Sequence, residues 1–140
     1  MQFTNSKAPL SQSQIDEIEY EFGFRLPQPA RDTYLRSNGG EPAPYIFHSE
    51  KIDTIVAEFL PLISELEGTA VQAYARLVVQ KGIVPLHFFP FAVDGGGDYF
   101  FVNCQTSDGQ VYFFRGDTAF DSLLPLNLDF EAFWKTLIPE

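Results

Sequence analysis

The stretch that decides the fold is Val93-Asp94-Gly95-Gly96-Gly97-Asp98-Tyr99-Phe100-Phe101-Val102-Asn103. Three glycines stand between two aspartates, and an aromatic, strand-forming run follows at once. A phosphate loop turns backbone N–H groups toward an anion at a helix N-terminus, and it carries G-x-G-x-x-G or a terminal Gly-Lys-Ser/Thr. Neither spacing is present, no helix follows, and Asp94 and Asp98 would repel phosphate. A calcium loop of the EF-hand type needs alternating oxygen ligands closed by a Glu. Only glycine separates Asp94 from Asp98, and Asn103 lies too far into the strand. What remains is a glycine-rich turn between two antiparallel strands, with Gly95, Gly96 and Gly97 supplying the backbone freedom.

Working outward toward the C-terminus, Ser107-Asp108-Gly109-Gln110 predicts a second tight hairpin, since Asp-Gly is favoured where both central residues need positive φ. Val111-Tyr112-Phe113-Phe114 is the returning strand. An acidic loop with Gly116, Asp117 and Asp121 follows, and Phe130, Phe133, Trp134 and Leu137 mark one face of a closing helix. Toward the N-terminus, residues 83–92 form an apolar extended run. Pro85 and Pro90 there predict an edge or broken strand, because proline cannot donate to a ladder.

The first half reads as helical. Ser11 or Ser13 caps a helix whose inner face is Ile15, Ile18 and Phe22, and Gly23 stops it. Phe24, Leu26 and Pro27 form an extended link. Pro29 opens a second helix, with Tyr34 and Leu35 inward, and Asn38-Gly39-Gly40 is expected as its C-cap. Tyr45-Ile46-Phe47 is a short strand. Ile52, Ile55, Val56, Phe59 and Leu60 predict a third helix, kinked at Pro61 and continued by Leu62, Ile63 and Leu66. Val71, Tyr74, Leu77 and Val78 predict another, closed by Lys81-Gly82. Residues 1–9 are expected to be a flexible arm. The architecture is α+β in one domain: N-terminal helices, an antiparallel β-meander, a closing C-terminal helix.

With 140 residues, 15 Phe, 6 Tyr and 1 Trp, the chain buries a core without disulfides or metal. Cys104 is the only cysteine, which fits a reducing compartment. The N-terminus has no apolar h-region and no run reaches the length of a membrane span, so a soluble, cytoplasmic protein is expected. The net charge of −10 argues against nucleic acid or anionic membrane as partner. Residues 91–140 concentrate the acid, with eight carboxylates against Arg115 and Lys135. That face either keeps the chain soluble or steers in a basic partner.

Hydrolytic chemistry needs a nucleophile, a base and an orienting group. The chain offers only His48 and His87, no Gly-x-Ser-x-Gly elbow, and a cysteine at the end of an aromatic strand, where a buried thiol is expected. Two histidines and one cysteine far apart show no zinc spacing. Glu17 and Glu21 share a solvated helix face. Glu19 lies between Ile18 and Phe22 and is expected to cap a backbone group or pair with Arg31 or Arg36. No catalysis, cofactor or metal is expected.

Several segments together resemble a known family. They are Ile15-x-x-Ile18-Glu19-x-x-Phe22-Gly23-Phe24-x-Leu26-Pro27, then Asn38-Gly39-Gly40, then Asp94-Gly95-Gly96-Gly97-Asp98-Tyr99-Phe100, Gly109-x-Val111-Tyr112-Phe113 and Phe130-x-x-Phe133-Trp134-x-x-Leu137. In this order they resemble the SUKH superfamily, in its Smi/Knr-like branch, over nearly the whole chain. The resemblance implies an α+β fold and binding without catalysis. Bacterial members are mostly immunity proteins that neutralise toxins, often nucleases, of polymorphic or contact-dependent systems. Fungal members look like regulators of cell-wall synthesis and signalling. The expected partner is a basic cognate toxin domain, with Asp94, Asp98, Asp117 and Asp121 as charged contacts and Tyr99 as an aromatic anchor. The chain itself is expected to be a monomer or weak homodimer. The segment 51–80, read as helical, carries no family motif and is assigned either to partner specificity or to extra core.

Overall fold

The computed structural model describes residues 1–82, 84–115 and 123–140. Among these, strands Ile46–His48 (β3), Asp53–Phe59 (β4), Phe88–Asp94 (β5), Tyr99–Asn103 (β6), Val111–Phe114 (β7) and Leu123–Pro125 (β8) form one sheet in sequential order. Every neighbouring pair is antiparallel, so the sheet is a meander. Helices Gln12–Phe22 (α1), Gln28–Arg36 (α2), Ala70–Tyr74 (α3) and Phe130–Thr136 (α4) complete the α+β domain.

The helices begin and end where local chemistry says they should. Ser11 caps α1 through a capping box with Gln14, and Gly23 closes it in the left-handed region. Thr69 and Gln72 form the same box on α3, which runs on as a π-helical segment, Ala75–Gln80. Asp129 caps α4 by accepting the Ala132 N–H.

Four expectations are corrected. Residues 52–60 are not a helix but β4. Apolar residues at 52, 55, 56, 59 and 60 satisfy helical spacing, yet the β-branched run Thr54-Ile55-Val56 suits a pleated surface and pairing with β3 and β5 captures it. The segment 51–80 is therefore a strand, a loop and a helix.

Of the edge or broken strand expected at residues 83–92, of which 83 lies outside the described residues, the edge reading is corrected, while the ladder is indeed irregular at Pro90. β5 lies between β4 and β6 in the sheet interior, and Pro90 is accommodated because the β5–β6 register shifts between Pro90 and Ala92. That irregularity also switches the strand's faces. Phe89 meets Phe24 and Tyr74, whereas Phe91, two residues on, meets Phe130, Phe133 and Trp134. β5 is covered on both sides, so its sequence is apolar from Phe88 to Val93 and shows no alternation.

Asn38-Gly39-Gly40 is not a helix cap. α2 ends at Arg36 with Ser37 extended. The Asn38 side chain instead bridges three segments, donating to Ala8 O and Ile63 O and accepting from Leu62 N–H. Gly39 and Gly40 allow close backbone approach: an added Cβ would lie 2.5 Å from Pro61 N and 2.7 Å from Thr4 O, respectively.

Residues 1–9, expected as a flexible arm, are tied down. Gln2–Thr4 (β1) pairs with Glu41–Ala43 (β2), Lys7 bridges Asn38, and Phe3 packs against Phe59 and Trp134.

The Asp108-Gly109 turn also differs in detail. Only Gly109 has positive φ, and residues 104–110 form a longer connection in which the Thr106 hydroxyl donates to Asn103 O and accepts from Gln110 N–H. Gly109 is needed there for space as well, since a Cβ would lie 2.9 Å from Val102 Cγ2.

Candidate functional site

The β5–β6 turn is built around one carboxylate. Asp94 is buried, and its Oδ1 accepts the N–H groups of Gly96 at 3.0 Å and Asp98 at 2.8 Å. Its Oδ2 accepts the Thr54 hydroxyl at 2.9 Å, which ties the turn to β4. The backbone closes the loop with Asp94 N–H to Asp98 O at 2.8 Å and Gly97 N–H to Asp94 O at 3.2 Å. Of the three glycines only Gly97 has positive φ, 92°. Gly95 is glycine for another reason: an added Cβ would lie 2.9 Å from Ile55 Cγ1. The result is a fixed, exposed glycine tip whose charge at Asp94 is spent inside.

Two features flank this tip. On one side Tyr99 accepts a hydrogen bond from Arg76 at 2.8 Å. With Glu67, Thr69, Gln72 and Ala73 they line an open hollow of about 320 Å³. The π-helical segment that carries Arg76 belongs to a class of irregularity frequent at functional sites. On the other side Ile46 pairs with Ile55 and bridges Ile138, which places three isoleucines side by side on one sheet face. Ile55 and Ile138 are 42% and 46% exposed. The row runs into Gly95, so an apolar strip adjoins the turn.

Asp94, Asp98 and Tyr99 are thus brought together with Thr54, Ile55 and Arg76, which sequence reading did not select. Asp117 and Asp121 lie outside the described residues. Arg76 had one sequence signal: Gln72, Ala73, Val79 and Gln80 at its i±3 and i±4 positions leave it without a helical acid partner. Thr54 had none, because its strand was read as a helix.

Elsewhere the chemistry-bearing side chains are engaged in structure. Glu19 Oε2 accepts the Leu26 N–H at 2.7 Å and Oε1 pairs with Arg31 at 3.2 Å, both roles expected for it; Arg36 bonds Thr33 instead. Arg31 also pairs with Asp16. The link thereby fixes buried Leu26 and Pro27 at the start of α2. Burial pushes the Cys104 thiol up to about 12, with nearby Glu19 adding to the effect, so it stays protonated. His48 contacts Asp53 at the surface and His87 packs on Phe88. Among the described residues no three His, Cys, Asp or Glu side chains are placed to hold a metal ion. No described helix is long and apolar enough to cross a membrane.

The SMI1/KNR4 family (SUKH-1) model matches residues 9–136. No curated protein matches the chain. The match spans nearly all of the sequence, from three residues before α1 to the last turn of α4, and the chain belongs to this family.

Proposed function

We propose that this SUKH-1 family member is a non-catalytic, cytoplasmic immunity protein that binds and neutralises a basic toxin domain. The observation that carries the reading is the β5–β6 tip. It is an exposed turn held by the buried Asp94 carboxylate, with an apolar strip on one flank and the Arg76–Tyr99 hollow on the other. An apolar centre beside polar groups is the ordinary make-up of a protein–protein contact. The chain's charge of −10 speeds encounter with a basic partner and disfavours nucleic acid as the direct target. Asp98 and Tyr99 form the described part of the contact; Asp117 and Asp121, outside the described residues, are its other proposed charged contacts. Asp94 acts through the turn it organises.

The test is capture of partners by the tagged chain from lysate of the source cells at low and high salt, followed by identification. One basic toxin-like domain, weakened by salt and by Asp98→Lys with Tyr99→Ala, is the expected result. Retention of wall-synthesis or signalling proteins would overturn the immunity reading in favour of a regulator.

A further inference from the structure

We propose that the hollow between β1 and the C-terminal ends of α2 and α4 binds a small monocarboxylate with an apolar body. Met1, Phe3, Arg36, Glu131, Trp134 and Lys135 supply its principal walls, and its volume is about 330 Å³, within the range of small-ligand sites. The Trp134 side chain is 5% exposed, yet its indole N–H is enclosed without an acceptor. Buried donors are ordinarily paired, so this one marks a position for a ligand oxygen or a water.

Arg36 and Lys135 provide the charge. Each stands in the last turn of its helix, where the carbonyl ends favour a cation. That accounts for their presence but leaves their donors available. Among the described residues neither forms an ion pair, and Arg36 spends one N–H on Thr33 Oγ1. Phe3 meets Trp134 edge-on at 5.0 Å, giving an aromatic wall for the ligand's body. Glu131 on the same hollow disfavours a second negative charge, which selects a monoanion. Met1 lines the same hollow and is 48% exposed, so its unbranched side chain can shift as a ligand enters. The net negative chain gives no long-range attraction for anions, so binding is local and modest.

The single tryptophan gives one indole N–H resonance in a ¹⁵N spectrum. Hexanoate is titrated against hexanamide at constant ionic strength, alongside a short apolar peptide with either a free or an amidated C-terminus. Saturable movement of the indole resonance by hexanoate, absent with hexanamide, is expected. Arg36→Gln and Lys135→Gln should each weaken it at least about fivefold while the rest of the spectrum stays dispersed. Tighter binding of the free-ended peptide than of hexanoate assigns the site to a chain end; weaker binding assigns it to a free carboxylate. A resonance that does not move, moves equally with hexanamide, or is indifferent to both substitutions overturns the proposal. None of these readouts involves a toxin, so the outcome is independent of the proposed immunity function.

Discussion

Asp94 and Asp98 are joined twice. The Asp98 N–H donates to the Asp94 carboxylate at 2.8 Å, and the Asp94 N–H donates to the Asp98 carbonyl at 2.8 Å. The pair closes the glycine tip into a unit whose shape depends on one buried side chain. Asp94→Ala removes the acceptor for Gly96 N–H, Asp98 N–H and the Thr54 hydroxyl. It should cost about 2–3 kcal/mol in urea unfolding. Asp94→Asn retains an acceptor oxygen and should cost about 1 kcal/mol. Equal losses for the two variants would show that the oxygen contacts do not hold the turn.

The glycines of the tip are not interchangeable. A Cβ at Gly95 meets Ile55, whereas one at Gly96 lies in ordinary contact, 3.6 Å from Asp94 Oδ1. Gly95→Ala should therefore destabilise by about 1–2 kcal/mol and Gly96→Ala by under about 0.5 kcal/mol. Combining Gly95→Ala with Ile55→Ala should recover part of the loss, a coupling measured by a double-mutant cycle. Simple additivity of the two changes would rule the steric account out.

Glu19 holds the turn from α1 into α2. Glu19→Ala leaves the Leu26 N–H without its acceptor and Arg31 with Asp16 as its remaining ion-pair partner, at a position that is largely buried. The expected loss is about 2–3 kcal/mol. Glu19→Gln keeps an acceptor for Leu26 and should lose about half as much. Thermal unfolding of the two variants separates the hydrogen bond from the ion pair.

Cys104 is held as a thiol. Its folded pKa is raised to about 12 from an ordinary value near 9, so the folded state binds the proton that the unfolded state releases. The associated stability is fully present below about pH 9 and is lost as pH rises toward about 12. Alkylation by iodoacetamide at pH 8 should be at least about tenfold slower in the folded chain than in urea. Equal rates in both states would contradict the burial. Cys104→Ala should flatten the alkaline limb of the stability profile.

How much of this was legible in the sequence can be followed residue by residue. Ser11 with Gln14, Gly23, and the Phe130, Phe133, Trp134 and Leu137 face announced α1 and α4, because caps and helical periodicity are decided within a few residues. The glycine tip was legible as a turn for the same reason, and Glu19 was placed correctly because its apolar neighbours Ile18 and Phe22 fix its side of the helix. β4 was misread because its apolar spacing fits a helix as well as a strand, and only pairing with β3 and β5 chooses. β5 was misplaced because Pro85 and Pro90 argue locally against an interior strand, and only the β5–β6 pairing, with its register shift at Pro90, accommodates proline there.

The sequence by itself therefore determined the capped helices, the glycine turn, the charge and the family motifs, since these rest on short-range sterics and composition. Tertiary structure alone decided that Asp94 lies inward on Thr54, that Gly95 lies beneath Ile55, and that Arg76 reaches Tyr99. Those contacts join residues 40, 40 and 23 positions apart. Their geometry exists only after the strands have paired and α3 has packed on β5, because no local pattern encodes a distance across a sheet.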